Sequence, residues 1–551
     1  MAVDNSFIAD QFSLLAKLMD IHGENPFKIK SYASAAFGID KLTEDLTTIP
    51  REKINTIRGI GPSIGKQIIE ILDSSELTQL REIIQKTPPG VIEMLKIKGL
   101  GPKKISTVWK EMEIESIGEL MYACNENRLL LYKGFGEKTQ DNIRDTISFY
   151  LKSQGSFLFA ELEGYVHLIQ KNLKENFPQQ LISITGAFRR QLEIVVQPEW
   201  ICSIPLTDLE SHLKAQAFTM QESSGNQLIA TGTENISLKF QSVPRESFYS
   251  SLFAGSASEV FLDAWKARFA PIESPASEEI IFQQAGISFI PAACREDPAV
   301  LDQAGSSFPP LIQTSDIKGI IHSHSNWSDG LQTIEQMARA CIEQGFEYLV
   351  ISDHSKSAFY ANGLSEDRIR EQHLHIDELN RQLAPFHIFK SIECDILYDG
   401  NLDYSDQILD SFDLVIASVH SNLKMNAEKS MSRLLRAIEN PYTRILGHPT
   451  GRLLLSRPGY PVDHKALIDA CAARGVVIEL NAHPRRLDLD WRWVDYALQK
   501  NVMISIDPDA HSVAGFHDIH YGVLAAQKGG LRKEQNLSSF SLEEMKGFVL
   551  G

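Results

Sequence analysis

Nine side chains that can coordinate metal ions follow short apolar runs in the C-terminal part of this chain of 551 residues. They are six histidines and three carboxylates: His322, His324, Asp329, His354, Glu393, His420, His448, Asp509 and His511. A single zinc site takes three or four ligands, so nine suffice for two or three divalent ions if one carboxylate bridges them. Glu393 is the natural bridge, because it stands alone after its run. The mixture of nitrogen and oxygen ligands suits manganese or zinc, with iron as a further choice.

The apolar runs that precede these side chains alternate with helix-like segments. The seven runs are 317–321, 348–351, 387–392, 414–417, 444–447, 476–480 and 502–506. Chemistry at the carboxyl ends of parallel strands is typical of a TIM-like barrel. We therefore predict a (β/α)7 barrel over residues 318–551. Of the 16 histidines, 13 lie at or after His322, which also indicates metal or acid–base chemistry there.

Three glycine turns in the first 150 residues form a second pattern, each an apolar residue, any residue, Gly, an apolar residue and Gly, with lysine soon after. The residues concerned are Gly59, Gly61, Lys66, Gly99, Gly101, Lys103, Lys104, Gly134, Gly136 and Lys138. Closely spaced glycines let the backbone approach a ligand, and the helix that follows offers free N–H groups to an anion. One copy could be an ordinary helical hairpin. Three copies resemble the helix-hairpin-helix motif, which implies contact with the DNA backbone.

Charge and composition narrow the class of protein. The net charge is −17, which does not fit a protein that coats nucleic acid. Residues 1–150 are nearly neutral, with 19 basic and 21 acidic residues. No apolar run approaches the roughly 18 residues of a membrane-spanning helix, and the start of the chain lacks the basic region of a signal peptide. The six scattered cysteines form no CxxC pair. We expect a cytoplasmic monomer that does not bind membranes.

The chain is predicted to be multidomain. Residues 1–150 form an all-α DNA-binding region, and 151–290 form an α+β domain. Residues 291–317 contain proline and serine and are predicted to be a linker. Residues 318–551 form the barrel.

The ligand positions resemble those of the polymerase and histidinol phosphatase (PHP) family, with His-x-His opening the barrel and Glu393 in its middle. The segments 25–32, 186–190 and 447–453 are similar to stretches of the bacterial family-X DNA polymerases (PolX). This resemblance implies a distorted seven-stranded barrel with a trinuclear metal site and a nucleotidyltransferase-like middle domain. It also implies 3′–5′ exonuclease activity, removal of 3′-blocking phosphates or cleavage at abasic sites, acting on gapped, nicked or 3′-ended DNA.

The middle domain departs from the family pattern. Family-X polymerases hold two Mg²⁺ with three aspartates, whereas Gln191, Glu193 and Ser237 align with those positions here. Ala187 also replaces a serine of the turn that precedes them. One carboxylate cannot hold two Mg²⁺, so we predict that nucleotidyl transfer is lost or very weak. The lysine that acts as a lyase nucleophile in eukaryotic relatives aligns with Gln67, so a lyase is not supported.

The main hypothesis is a metal-dependent phosphodiesterase that acts on DNA in repair. Glu393 would bridge the metals, and Arg452 and Arg486 would neutralise charge that develops on the phosphate. Three alternatives remain: an active family-X polymerase, a small-molecule phosphatase of the histidinol phosphatase type, and a DNA-binding scaffold without catalysis. The glycine turns disfavour the small-molecule phosphatase, and the intact ligand set disfavours the scaffold.

Overall fold

The structure is a computed structural model that describes residues 4–42, 44–57, 60–152, 155–232, 236–271, 274–305 and 307–550. By its internal contacts the chain divides into two compact units. The first comprises residues 1–125 and 129–150, and the second comprises 126–128 and 151–551. The boundaries predicted within the second unit stay predictions. Across the described residues, no helix is both long enough and apolar enough to cross a bilayer.

The first unit is helical. Its helices are α1 Asn5–His22, α2 Pro26–Asp40, α3 Arg51–Ile54, α4 Pro62–Ser74, α5 Thr78–Gln85, α6 Pro89–Glu93, α7 Pro102–Lys110, α8 Ile117–Asn125 and α9 Glu137–Lys152. Gly61 and Gly101 are the N-cap residues of α4 and α7, and each helix begins with proline. Proline suits this position because its missing N–H would have no partner in the helix.

The N-terminal part of the second unit mixes helices and strands. Its elements are β1 Phe157–Leu158, α10 Phe159–Asn176, β2 Ile182–Thr185, α11 Gly186–Arg189, β3 Ile194–Val195, β4 Glu199–Cys202, α12 Leu206–Ala215, β5 Thr219–Ser224, β6 Gln227–Thr231, β7 Ser237–Ser242, α13 Phe248–Gly255, α14 Glu259–Arg268, α15 Glu278–Gln284 and α16 Val300–Gln303. One sheet has the order β2-β4-β7-β6-β5, and β1 pairs with β3 in a separate sheet. This matches the α+β class expected for the middle of the chain.

The C-terminal part alternates strands and helices. Its elements are β8 Gly319–Ser323, α17 Ile334–Glu343, β9 Tyr348–Ile351, α18 Glu366–Leu383, β10 His387–Asp395, α19 Asp406–Leu409, β11 Leu414–Ser418, α20 Ala427–Glu439, β12 Thr443–Leu446, α21 His464–Arg474, β13 Val477–Asn481, α22 Val494–Gln499, β14 Ile504–Asp507, α23 Ile519–Lys528 and α24 Leu542–Leu550. Short 3₁₀ turns occupy Met94–Lys96, Arg128–Leu131, Arg245–Ser247, Ala292–Cys294, Thr314–Asp316, Phe359–Ala361, Trp491–Trp493, Val513–Asp518, Lys533–Gln535 and Leu537–Ser539.

The strands β8 to β14 form one parallel sheet in chain order. The sheet nearly closes, because the amide of His324 donates to the carbonyl of Ala510 (2.9 Å), just beyond β14. The predicted seven-stranded PHP-type barrel is therefore confirmed. The strands are buried on both faces, which explains their continuous apolar runs.

The barrel interior is packed at the end where the strands begin. Tyr348, Phe389, Ile416 and Val477 fill it, together with Met545 from the C-terminal helix α24. This packed end leaves the opposite end, where the strands finish, to the polar side chains.

Residues 291–317, which are predicted to be a linker, pack against the preceding helices. Cys294 and Leu301 belong to an apolar cluster with Phe261 and Phe282. Arg295 is fully buried, and its Nη1 lies 2.7 Å from Glu278 Oε1. This ion pair holds the segment against α15, a tertiary contact that composition alone does not reveal.

Candidate metal centre and its surroundings

The nine predicted ligands come together where the barrel strands end. Glu393, near the end of β10, lies at their centre. The distances from its carboxylate oxygens are 2.9 Å to His354 Nδ1, 2.9 Å to His448 Nε2, 3.0 Å to His420 Nε2, 3.3 Å to His322 Nε2 and 3.7 Å to His324 Nε2. A carboxylate surrounded by five imidazoles is suitably placed to bridge metal ions.

Three overlapping groups could each hold an ion. They are His324, Asp329, His354 and His511; His322, His324 and Asp509; and His354, Glu393 and His420. Within each group, the ligand atoms lie within 4.8 Å of one another. All of these side chains are buried except that of His420, which is partly buried.

The hydrogen bonding of the cluster tests whether a metal fits. Within this cluster, the buried atoms that form no hydrogen bond of good geometry are His322 Nε2, His324 Nδ1, Asp329 Oδ2, His354 Nδ1, Glu393 Oε2, His448 Nδ1 and His511 Nε2. Buried polar atoms normally have partners. Seven buried nitrogen and oxygen atoms without a hydrogen bond in one cluster fit a site for divalent cations, which these atoms would coordinate.

The electrostatics of the cluster agree with this. Burial lowers the pKa of His420, but Glu393 and Asp395 outweigh burial and raise this pKa to about 9. Burial and the neighbours His511 and His354 lower the pKa of His324 to about 3. The carboxylates thus attract positive charge, whether a proton or a metal ion, while one central imidazole stays neutral and able to coordinate.

Two of these residues have unusual backbones. His322 has φ 55°, where the pairing of β8 with β9 shifts register between Ile320 and Ser323. Asp509 has φ 51°. Residues other than glycine rarely adopt a positive φ, and those that do so cluster at functional sites. The bulge orients the His322 side chain towards Glu393.

Carboxylates outside the predicted set orient two of the imidazoles. His322 Nδ1 lies 2.5 Å from Glu479 Oε2, and His420 Nδ1 lies 3.0 Å from Asp395 Oδ1. Each contact leaves the other ring nitrogen facing Glu393. Partners of this kind set the tautomer and direction of metal-binding histidines.

A third group of contacts fixes the acidic side of the cluster. The Nδ2 of Asn481 donates to Asp509 Oδ2 (3.0 Å) and to Glu479 Oε1 (2.8 Å). Buried Asp353 accepts from Ser325 Oγ (2.7 Å) and Gln372 Nε2 (2.6 Å), which anchors the loop that carries Asp329. For Glu479 and Asn481, the signal in the sequence was a polar side chain near the end of the otherwise apolar strand β13.

The two predicted catalytic arginines lie in different places. Arg486 is buried, with its Nε 3.7 Å from Asp509 Oδ2, beside the cluster. Arg452 instead faces the neighbouring loop: its Nε donates to the carbonyl of Arg486 (3.0 Å), and its terminal nitrogens contact Leu487 and Asp490. The structure therefore brings Arg486 to the cluster and places Arg452 behind it.

The glycine turns of the first unit have the geometry expected of them. Gly99 and Gly134 have φ +90° and +97°. Gly101 and Gly136 are exposed and have open space where a side chain would be. Gly61 is exposed in the same way, and Gly59 lies outside the described residues. Lys66, Lys103 and Lys138 are exposed, whereas Lys104 lies with its Nζ 5.7 Å from the centre of the Phe135 ring.

The predicted alignment of the middle domain is not reflected in its sheet. Glu193 precedes β3, which pairs with β1, whereas Ser237 begins β7 in the five-stranded sheet. The strand beside β7 is β4, where Glu199 lies opposite Lys239 and forms an ion pair with it (3.0 Å). Gln191 lies in the turn before Glu193, with φ 56°. The three aligned side chains thus do not share a pair of strands.

Gln67, at the position that aligns with the lyase lysine, forms hydrogen bonds with uncharged side chains. Gln67 Nε2 donates to Tyr32 Oη (2.9 Å) and to Gln79 Oε1 (3.0 Å).

Comparison with known proteins identifies the family. A helix-hairpin-helix domain model matches residues 3–77, and a SAM-like helix-hairpin-helix tandem model matches residues 91–148. The DNA polymerase/3′-5′ exonuclease PolX of Bacillus subtilis is 31% identical, over 97% of each chain. This chain belongs to the PolX family. The helix-hairpin-helix repeats expected of a PolX chain are confirmed.

Relatives of a second kind match the C-terminal part of this PolX chain. A probable phosphatase of Caldanaerobacter subterraneus is 28% identical over 29% of the chain and 60% of its own length. The probable phosphatase YcdX of Escherichia coli is 27% identical over 29% of the chain and 59% of its own length. The C-terminal part of the chain is thus similar in sequence to proteins named as probable phosphatases.

Proposed function

We propose that this PolX chain is a metal-dependent phosphodiesterase that shortens or cleans DNA 3′ ends, or cuts abasic sites, in DNA repair. The proposal is carried by five imidazoles that surround Glu393 and by buried ligand atoms that make no hydrogen bond. The name of the Bacillus subtilis relative, which includes a 3′-5′ exonuclease, supports it.

The nine predicted side chains would hold two or three Mn²⁺ or Zn²⁺ ions, with iron also suited to them. Bound divalent cations supply a hydroxide nucleophile near neutral pH and neutralise phosphate charge. Arg486 would bind a phosphate oxygen, since its guanidinium lies beside Asp509. Arg452 would act on the reaction only through the loop that carries Arg486.

The glycine turns would hold the DNA. The first turns of α4 and α7 follow exposed glycines whose missing side chains leave room for a phosphate. Free N–H groups at these helix starts, with Lys66 and Lys103 nearby, would contact the backbone of gapped, nicked or 3′-ended DNA and fix its position without reading its sequence.

We also propose that nucleotidyl transfer is lost. On β4, which pairs with the strand of Ser237, the Glu199 carboxylate is held in an ion pair with Lys239, which leaves it poorly available for Mg²⁺. Arg189 and Arg190, which follow the family's turn, contact Glu278 and Glu296. Arginines held in ion pairs are poorly available to bind a nucleoside triphosphate.

An active family-X polymerase is the alternative hypothesis, and primer extension would establish it.

A small-molecule phosphatase is the second candidate, because the relatives that match the C-terminal part are named probable phosphatases. The helix-hairpin-helix domains favour DNA, since a small ester needs no grip on a duplex.

A primer-template assay separates these readings. With Mn²⁺, the wild-type chain should shorten a 5′-labelled primer, and His322→Ala should abolish shortening. His375→Ala, which removes an exposed histidine of α18, is the matched control and should cleave as the wild type does. Primer lengthening in the presence of nucleotides would establish that the chain is an active polymerase. An intact primer together with phosphate release from small esters would establish that it is a small-molecule phosphatase.

A further inference from the structure

The loop after β13, residues 482–492, carries Arg486 into the metal centre and is held on two sides. On the barrel side, Arg452 Nε donates to the carbonyl of Arg486 (3.0 Å). The amide of Asn481 donates to the carbonyl of Asp488 (2.7 Å), which closes the loop at its base.

The other side of the 482–492 loop is held by the middle region of the chain. Arg485 is only 4% exposed, and its Nη2 lies 2.9 Å from Glu161 Oε1, in the first turn of α10. The second oxygen of Glu161 accepts from the amide of Leu158 (3.0 Å). Both carboxylate oxygens of Glu161 therefore form hydrogen bonds, and the bond from Leu158 holds the carboxylate in the orientation that contacts Arg485.

The far end of the loop is held by Glu193. Its Oε2 accepts from Trp491 Nε1 (3.1 Å), and its Oε1 accepts from Arg492 Nη1 (3.0 Å). Phe159 and Gln191 from the middle region line a small cavity together with Leu487 and Trp491 of the loop. The Glu193 carboxylate is thus bound by two side chains of the barrel.

We propose that Glu161 and Glu193 of the middle region are positioning residues for the barrel's phosphoesterase site. Glu161 acts through Arg485 on the adjacent Arg486, whose Nε lies 3.7 Å from Asp509 Oδ2. Glu193 fixes the other end of the same loop. This inference rests on the proposed function, and it gives the degenerate middle region a task in hydrolysis.

The first test compares Glu161→Gln with the wild type in the full-length, Mn²⁺-loaded chain. Glutamine keeps the shape but removes the charge that holds Arg485. We expect kcat/KM for primer shortening to fall about tenfold, the lower end for partners that orient a site, with the larger change in KM and with unchanged bound Mn²⁺ per chain. Glu163→Gln is the matched control, because Glu163 lies on the same helix but contacts His520 (2.8 Å). An unchanged KM in Glu161→Gln would overturn the proposal.

A double-mutant cycle distinguishes positioning from general damage. If Glu161 acts through Arg486, adding Glu161→Gln to Arg486→Ala should cause no further loss of kcat/KM. Fully additive losses would contradict the inference. Glu193→Gln provides a second entry to the same cycle should Glu161→Gln fold poorly.

A measurement on the metal-free protein makes the outcome independent of activity. Hydrogen exchange of the 482–492 amides should be faster in Glu161→Gln than in the wild type and unchanged in Glu163→Gln. Equal exchange in all three proteins would overturn the inference that Glu161 holds the 482–492 loop. A wild-type chain that cleaves no DNA would overturn the proposed function instead. The exchange experiment would still decide whether Glu161 holds the loop.

Discussion

At the scale of single residues, the candidate metal centre depends on side chains that face the ligands as well as on the ligands themselves. Glu479 and Asp395 each accept a hydrogen bond from one ring nitrogen of a histidine, and this contact directs the other ring nitrogen to Glu393. The ligand types were predictable from the sequence because histidine and carboxylate are rare at the ends of apolar strands. Their partners were harder to foresee, since a buried glutamate in a strand such as β13 gains its role only from a histidine 157 positions away.

Glu479→Gln should weaken metal binding by about 10- to 100-fold, the usual effect of losing a carboxylate that orients a metal-binding histidine. His322 would lose its fixed tautomer, while the volume of the side chain stays nearly the same. Chelator competition with Mn²⁺ measures the affinity.

The control for that measurement is Glu347→Gln. Glu347 lies just before β9, at the opposite end of the barrel, where its Oε2 accepts from the amide of Leu542 (2.9 Å). The control should bind Mn²⁺ as the wild type does. If Glu479→Gln also bound Mn²⁺ as tightly as the wild type, the orienting role of Glu479 would be wrong.

At the scale of elements, strands buried on both faces were the most predictable part of the chain. The run 348–351 coincides with β9, and the other barrel runs end within three residues of the ends of the observed strands. The middle region was less predictable, because the shortened segment after Arg190 permits several alignments, and only pairing of β3 with β1 decides where Glu193 lies. The bulge at His322 likewise depends on closure of the barrel and has no local signal.

The glycine turn before α7 provides a matched pair of substitutions. Gly99→Ala should destabilise the protein by about 1–2 kcal/mol, because an alanine at φ +90° is strained. Gly101→Ala should cost less, about 0.5–1 kcal/mol, because Gly101 has φ −80° and open space at its Cβ position, so that the cost comes only from alanine being a poorer N-cap residue than glycine. Gly101→Ala should nevertheless weaken DNA binding several-fold, since its methyl group occupies the space that a phosphate would approach.

Denaturant unfolding measures the first effect. Fluorescence anisotropy of a labelled duplex with the metal-free protein, at one fixed salt concentration, measures the second. Wild-type DNA affinity in Gly101→Ala would show that this turn does not contact the DNA backbone.

At the scale of the whole molecule, the chain has a PolX organisation in which the middle region contacts the C-terminal barrel. Glu193 contacts Trp491 and Arg492, and Lys528 donates to the carbonyl of Arg190 (2.7 Å). Burial lowers the pKa of Lys528 to about 8, which shows how closely this barrel lysine is enclosed. Side chains of the barrel thus contact the middle region at both Glu193 and Arg190.

The most direct test of the account is the return of cleavage when metal is restored. The chain is stripped of metal with a chelator, Mn²⁺ is added back in steps, and bound Mn²⁺ per chain is measured beside the shortening of a 5′-labelled primer. We predict no shortening by the stripped chain, and a rate that rises with occupancy until two or three ions are bound. Shortening by a chain that holds no metal, or an intact primer with a chain saturated with Mn²⁺, would contradict the account.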